Sequence, residues 1–225
     1  MKKAEWVLRE ILYRVYEENE FFMSQKSLAE TCGVSLDTVN KVVGRLEAFR
    51  SLEKKPFGFR VVEPKKILLY WAATRDLRGE ILYSTYSPNS PSEIEEALPE
   101  NSLLTAFSGC KRRLGCTEDY EEVYVYCHPE PVRKKFGERT HLPPNLFVLR
   151  GDPHLYKRSR EGVPSLAQIY VDLWQIGGTH ANRHLMKLER KMELRPVEVL
   201  KELAKMAGEG SPGRETEPIE RGPVR

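Results

Sequence analysis

The stretch from Gln25 to Arg45 constrains this chain more than any other part of it. Leu28, Ala29, Cys32, Gly33, Val34, Val39 and Val42 fall at the spacing of two short helices joined by a tight turn. Ala29 is small where the two helix axes must approach. Gly33, four residues on, tolerates the positive φ that such a turn favours. Leu28, Cys32, Val34, Val39 and Val42 supply the apolar pins that fix a crossing angle. Ser24 suits the N-cap of the first helix, because its hydroxyl accepts an amide proton from the open first turn. Ser27, with Glu30 three residues later, is the alternative cap. Ser35 opens the second helix, over 36–49, with Val39, Val42, Val43, Leu46 and Phe49 inward. A plain helical hairpin shares part of this pattern; the seven positions together specify a helix-turn-helix.

In that motif the second helix enters the major groove of a duplex. Its outward residues are Ser35, Asp37, Thr38, Asn40 and Lys41, with Arg45 further along. Ser, Thr and Asn bond base edges or phosphates, and Lys and Arg do either. Asp37 either accepts from a cytosine amino group or simply favours the positive end of the helix dipole. Downstream, Ser51–Lys55 and Phe59–Val62 flank Pro56-Phe57-Gly58, which predicts a hairpin with Gly58 at the turn. Such a hairpin is a wing. Lys54, Lys55 and Arg60 on its strands are placed to neutralise phosphates without reading sequence. Double-stranded DNA is the expected partner, and a homodimer would read half-sites about one helical turn apart.

Around this motif the chain alternates in period. Trp6, Val7, Ile11, Leu12, Val15 and Tyr16 predict one helical stripe over Lys3–Glu18. Phe21-Phe22-Met23 is a short apolar segment that pairs as a strand or plugs the core. Glu63-Pro64 marks a boundary. Beyond it, 66–75, Ser90 to Leu98, Asn101 to Leu114, Pro131 to Glu138, Pro164 to Ile176 and His180 to Ala207 predict helices, the last with a kink near Pro196. Glu80 to Tyr86, Glu122 to Cys127 and Leu146 to Arg150 predict strands. The class is α+β: a winged helix-turn-helix domain over 1–63, then an α/β domain with a small sheet and C-terminal helices over 64–207. Gly208 to Arg225, rich in Gly, Pro, Glu and Arg, is expected to be a disordered tail.

Composition limits the remaining choices. Thirty-six Lys and Arg against 33 Asp and Glu give a net charge of only +3, so DNA affinity has to come from local placement. Glutamine is scarce while Lys, Arg and Glu abound, a bias that suits a thermophilic source. No apolar run nears the ~20 residues a membrane span needs. Glu5, Arg9 and Glu10 interrupt the N-terminal segment, so no signal peptide is expected and cytoplasm is the default compartment. Cys110, Cys116, Cys127 and His128 lack the tight ligand pairs of a structural zinc site, and buried free thiols are the better reading of these cysteines and of Cys32. No metal or cofactor is expected. Walker, GxGxxG, HExxH and GxSxG patterns are missing, so no catalytic residue is assigned. His180 and His184 lie four apart, read as a solvated helix face in preference to a metal clamp. Lys111-Arg112-Arg113 closes a helix, favouring its dipole or touching nucleic acid.

Three later segments carry a resemblance: Leu103 to Leu114; the Asn145–Asp152 strand ending in Gly151-Asp152-Pro153; and Val163 to Leu173, in which a proline-led helix holds Gln168-Ile169-Tyr170-Val171-Asp172-Leu173. With the N-terminal motif, they make the chain similar to the antitoxins of AbiE-type (type IV) toxin–antitoxin systems over most of 20–205. The resemblance implies a repressor of its own operon whose C-terminal domain opposes a nucleotidyltransferase-like toxin. The first helix is longer than that family leads one to expect, and the tail is extra, which leaves a stand-alone regulator open. From the residues alone, Leu166, Ile169, Tyr170, Leu173 and Trp174 form an apolar face that docks on the sheet, with Gln168 and Asp172 as hydrogen-bonders. Two other classes are kept open. One is a nucleic-acid-processing enzyme with Asp152, Glu122 and Lys111 to Arg113 at its site; the other is a winged helix that binds protein.

Overall fold

In the computed structural model, described for residues 2–116, 118–139 and 141–192, α1 (Lys3–Glu18) is the hub. Val7, Leu8, Ile11, Leu12, Tyr13, Val15 and Tyr16 are all buried and lie round the whole helix, not along one stripe. A helix apolar on every side must be covered on every side. On one side α1 packs against α2 (Gln25–Cys32) and α3 (Leu36–Ala48); on the other it meets α4 (Pro64–Thr74) and α9 (Leu166–Ile176).

A three-stranded antiparallel sheet completes the N-terminal part. Its order is β1 (Phe22–Met23), β3 (Gly58–Val61), β2 (Leu52–Lys55). The turn differs from expectation by one residue. Lys55 pairs with Gly58, so Pro56-Phe57 is the turn and Gly58 already belongs to the strand. The reason is a close approach: a Cβ at Gly58 would lie 2.3 Å from the carbonyl oxygen of Met23 on β1.

The second sheet has the order β4 (Ile81–Thr85), β7 (Leu146–Leu149), β6 (Val123–Tyr126), β5 (Leu103–Thr105), with β6 and β7 parallel and the outer pairs antiparallel. All four residues of β6 are buried, because the sheet is covered on both faces. Val123 and Val125 join a cluster with Ile94 of α5 (Pro91–Glu96) and Val132 of α7 (Pro129–Phe136). Tyr124 and Tyr126 face the main core, with Phe107 and Cys110 of α6 (Ala106–Leu114) and Ile169 of α9. A helix 178–192 follows α9. Among the described residues there are thus ten helices and two small sheets, a mixed α+β fold whose N-terminal region fits a winged helix.

Several expectations need correcting. Asn101-Ser102 does not start a helix: Leu103-Leu104-Thr105 pairs with β6, and α6 begins only at Ala106. Asp152-Pro153 opens a short helix, α8 (Pro153–Lys157), that was not expected, although an N-cap aspartate before proline at the first helical position is its signature. α9 packs mainly on α1, α4 and α6 and meets the sheet at β5 and through the Tyr126 hydroxyl of β6; Trp174 is partly exposed. His184 is fully buried against Phe107 and Tyr120, and so is no part of a solvated face. Glu63-Pro64 is the entry to α4, and residues on both sides of it share one buried cluster within a compact unit that runs to Met192. The expected helix beyond Met192, the kink near Pro196 and the tail lie outside the described residues.

Candidate nucleic-acid interface

The local chemistry of the turn holds α3 in place. Ser24 caps α2 by accepting from the Ser27 amide at 3.1 Å. At the other end Gly33 takes φ 62. Its N–H reaches the Glu30 carbonyl at 3.3 Å, while the Val34 N–H reaches Ala29 at 3.0 Å. These two bonds form a Schellman closure, which turns the chain sharply enough for α3 to start two residues later. Ser35 then caps α3 by accepting from the Thr38 amide at 3.2 Å. Leu28, Cys32, Val39, Val42, Val43 and Leu46 are buried between the helices, so the polar edge of α3 is left outward.

That edge carries the candidate residues. Ser35, Asp37, Asn40, Lys41 and Arg45 are exposed and Thr38 is half-buried. The Lys41 ammonium and the Asp37 carboxylate, each 70% exposed, pair at 2.8 Å across one helical turn. Such a pair contributes only a few tenths of a kcal/mol and is easily given up to a phosphate. Ser35 and Thr38 share a hydroxyl–hydroxyl bond at 2.9 Å.

The wing splits its cations between two faces. Lys54 sits opposite Phe59 and so faces α3, where it meets Glu47 at 2.5 Å. Lys55 and Arg60 lie on the other face. There Lys55 pairs with Glu53 at 2.9 Å and holds that carboxyl below its usual range, and Glu53 stands opposite Arg60. A groove of about 410 Å³ runs between wing and helices, lined by Lys26, Leu36, Asn40, Lys54, Lys55 and Phe57 among others. Leu36, 50% exposed, and Phe57, 96% exposed, are apolar members of this surface that were not foreseen.

A buried polar network stands behind the interface, and sequence reasoning found only part of it. Arg14 donates to Ser27 at 3.1 Å and Thr31 at 3.0 Å on α2, and to Glu10 at 2.7 Å. Glu10 also accepts from Arg158 and from His154 Nε2 at 3.0 Å. Burial pushes the Glu10 carboxyl up, but hydrogen bonds from His154, Arg158 and Arg14 outweigh it and hold the group at about 2. Arg9 donates to Gln168 at 2.8 Å, to both oxygens of Asp152 at 3.0 and 3.1 Å, and to His154 Nδ1 at 3.1 Å. Guanidinium only donates, so Nδ1 is the acceptor and Nε2 carries the proton given to Glu10. Burial lowers the His154 pKa, in keeping with a neutral ring. Gln168 continues to the Tyr126 hydroxyl at 3.0 Å and Asp172 at 3.0 Å. Asp172 is met by Arg75 at 2.8 Å, Thr105 at 2.7 Å and Tyr126 at 2.6 Å. Gln168 and Asp172 are hydrogen-bonders, as read.

The other singled-out groups do not gather into a site. Both Asp152 oxygens are taken by Arg9, and Asp152 also caps α8. Glu122 accepts from Tyr124 at 2.9 Å. Arg113 pairs with Glu17 of α1, and Lys111 lies 5.5 Å from the Tyr120 ring. All four cysteines are free and buried. Cys110 and Cys116 adjoin, but Cys127 lies in the cluster on the opposite face of the sheet. Among the described residues, no group of three or more His, Cys, Asp or Glu is placed to hold a metal, and no helix is long and apolar enough to cross a membrane.

Residues 2–102, less than half of the 225-residue chain, match the family of the Firmicute plasmid replication protein, RepL. The matched stretch contains α1, the helix-turn-helix, the wing and α4. It supports a DNA-binding protein of a replication or regulatory kind, and does not single out the AbiE-type antitoxins. No curated protein matches the chain.

Proposed function

We propose that this chain binds double-stranded DNA sequence-specifically through α3 and the wing, and acts as a repressor or a related regulator. One observation carries the reading: the polar edge of α3, from Ser35 to Arg45, lies outward and clear of the rest of the described residues, beside a wing bearing Lys54, Lys55 and Arg60. The Schellman turn and the two serine caps fix how that edge is presented. Asn40 and Lys41 are the residues suited to base edges, and Arg45 and the wing cations to phosphates. The family match over residues 2–102 supports the same partner.

Selection from a random duplex library by the full chain tests this. The expected result is one enriched sequence, bound with an affinity that falls steeply with salt. Lys41→Ala with Arg45→Ala should abolish that binding while leaving the circular dichroism unchanged, since both residues are exposed. No enrichment, or enrichment insensitive to the double substitution, would refute the assignment. The antitoxin form of this reading adds a nucleotidyltransferase-like toxin as partner of the sheet-bearing half. Co-expression with such a toxin, if one is encoded alongside, should relieve its growth inhibition.

A further inference from the structure

The tip of the wing is built against ordinary turn chemistry. A two-residue hairpin loop needs positive φ, normally supplied by glycine or asparagine. Here the glycine is held one position later, at Gly58, by the close approach of Met23. Phe57 takes the positive φ instead, at 67°, with its ring 96% exposed. A bulky residue in that region is strained by about 1–3 kcal/mol, and an exposed ring recovers nothing by burial. Lys54 and Lys55 precede it, and Lys26, Leu36 and Asn40 line the same groove. An apolar tip ringed by cations matches a DNA groove, with phosphates at the rim and stacked bases at the floor.

Resting on the DNA-binding reading above, we propose that Phe57 is a wedge that enters the minor groove beside the α3 site, parts one base step and bends the duplex. Apolar wedges of this kind kink DNA by about 20–90°. The test uses the selected duplex, end-labelled for energy transfer, with 2-aminopurine placed in turn at each step the wing reaches. Wild-type chain should bring the ends closer and raise 2-aminopurine fluorescence several-fold at one step. Phe57→Ala should lose both signals and bind about ten-fold more weakly, in line with the loss of one stacking contact; Phe57→Trp should restore them. Wild-type binding without bending, or bending that survives Phe57→Ala, would overturn the wedge alone. No wild-type binding at all would overturn the wedge and the DNA reading together. Dimers in sedimentation that become monomers on Phe57→Ala would assign the ring to a protein contact and also overturn the wedge.

A second observation is independent of DNA. The Sγ atoms of Cys110, in α6, and Cys116, just past its C-cap Gly115, lie 2.9 Å apart and are buried. A disulfide requires about 2.05 Å, so closure needs a shift of under 1 Å. A hydrogen bond from Cys110, together with the nearby Lys187 ammonium, lowers the Cys116 pKa, while that same bond and burial raise Cys110. The geometry points to a Cys110–Cys116 dithiol that closes to a disulfide by exchange with a small disulfide oxidant. The Cys116 thiolate attacks one sulfur of the oxidant and expels a thiolate. Cys110, giving its proton to that thiolate, then attacks the Cys116 sulfur and expels the second. Two protein thiols are oxidised and one oxidant disulfide becomes two thiols.

Folded chain equilibrated with oxidised glutathione, then unfolded and alkylated, should show two alkylated cysteines, Cys32 and Cys127, and one 110–116 cross-linked peptide. Cys116→Ser should show three alkylated cysteines. Four alkylated cysteines, a stable glutathione adduct, or a bond to Cys32 or Cys127 would overturn the assignment.

Discussion

At the scale of the residue, the most consequential side chain is Arg9. It is fully buried and donates to Asp152 and His154 at the start of α8 and to Gln168 of α9, all far along the chain from α1. Truncating one partner of such a pair strands the other without water. Arg9→Met should therefore destabilise the fold by about 3–5 kcal/mol in urea unfolding, whereas Arg9→Met combined with Asp152→Leu should recover much of the loss. Two neighbours make stability depend on pH. His154 has a lower pKa folded than its ordinary 6.5, so below that value the unfolded chain takes up a proton that the folded chain refuses, and stability declines. Glu10 is lowered from 4.5 to about 2, so its contribution is complete above pH 4.5 and is lost as pH falls through that interval. Glu10→Gln should lower stability at pH 7 and flatten the acid limb between about 4.5 and 2 in thermal melts taken across pH.

At the scale of the element, the turn between α2 and α3 is the part on which presentation of the interface depends. Nothing lies within 4 Å of a Cβ placed on Gly33, so the φ of 62 alone penalises substitution. Gly33→Ala should cost about 1–2 kcal/mol in stability, and Gly33→Asn less, because asparagine visits this region more readily; urea titration of both variants checks the order. This turn was legible in the sequence because its signals are local: caps at Ser24 and Ser35, glycine at the αL position and apolar pins at helical spacing. β6 and β7 were legible for the same reason, as short β-branched and aromatic runs. β5 was not. Leu103-Leu104-Thr105 is three residues long, abuts a helix directly and is a strand only because β6 lies beside it. The charged residues of α1 misled in another way. The single stripe through Trp6, Val7, Ile11, Leu12, Val15 and Tyr16 has no place for Arg9, Glu10 and Arg14, which are buried. Leu8 and Tyr13, outside that stripe, were the available sign that the helix is buried all round. Phe57 escaped notice because the glycine beside it was assigned the turn, and only the packing of β1 shows why it cannot serve.

At the scale of the whole molecule, the hydrogen-bonded chain from Asp172 through Gln168, Arg9, His154, Glu10 and Arg14 ends on Ser27 and Thr31 of α2, tying the four-stranded sheet to the helix-turn-helix. The face it supports is only modestly basic. If Lys41, Arg45, Lys54, Lys55 and Arg60 each took one phosphate, the slope of log affinity against log salt would be about −4.5. Asp37, Glu47 and Glu53 pair with three of these cations, so the measured slope should be shallower. Asp37→Asn should tighten binding at low salt, with the gain shrinking as salt rises, as a filter-binding titration would show. The central claim is that the duplex covers α3 and the wing. Hydrogen–deuterium exchange of the full chain, with and without its selected duplex, addresses it most directly. Protection is expected at residues 35–45 and 54–60. Protection at 111–113 in place of these stretches, or none anywhere, would contradict it.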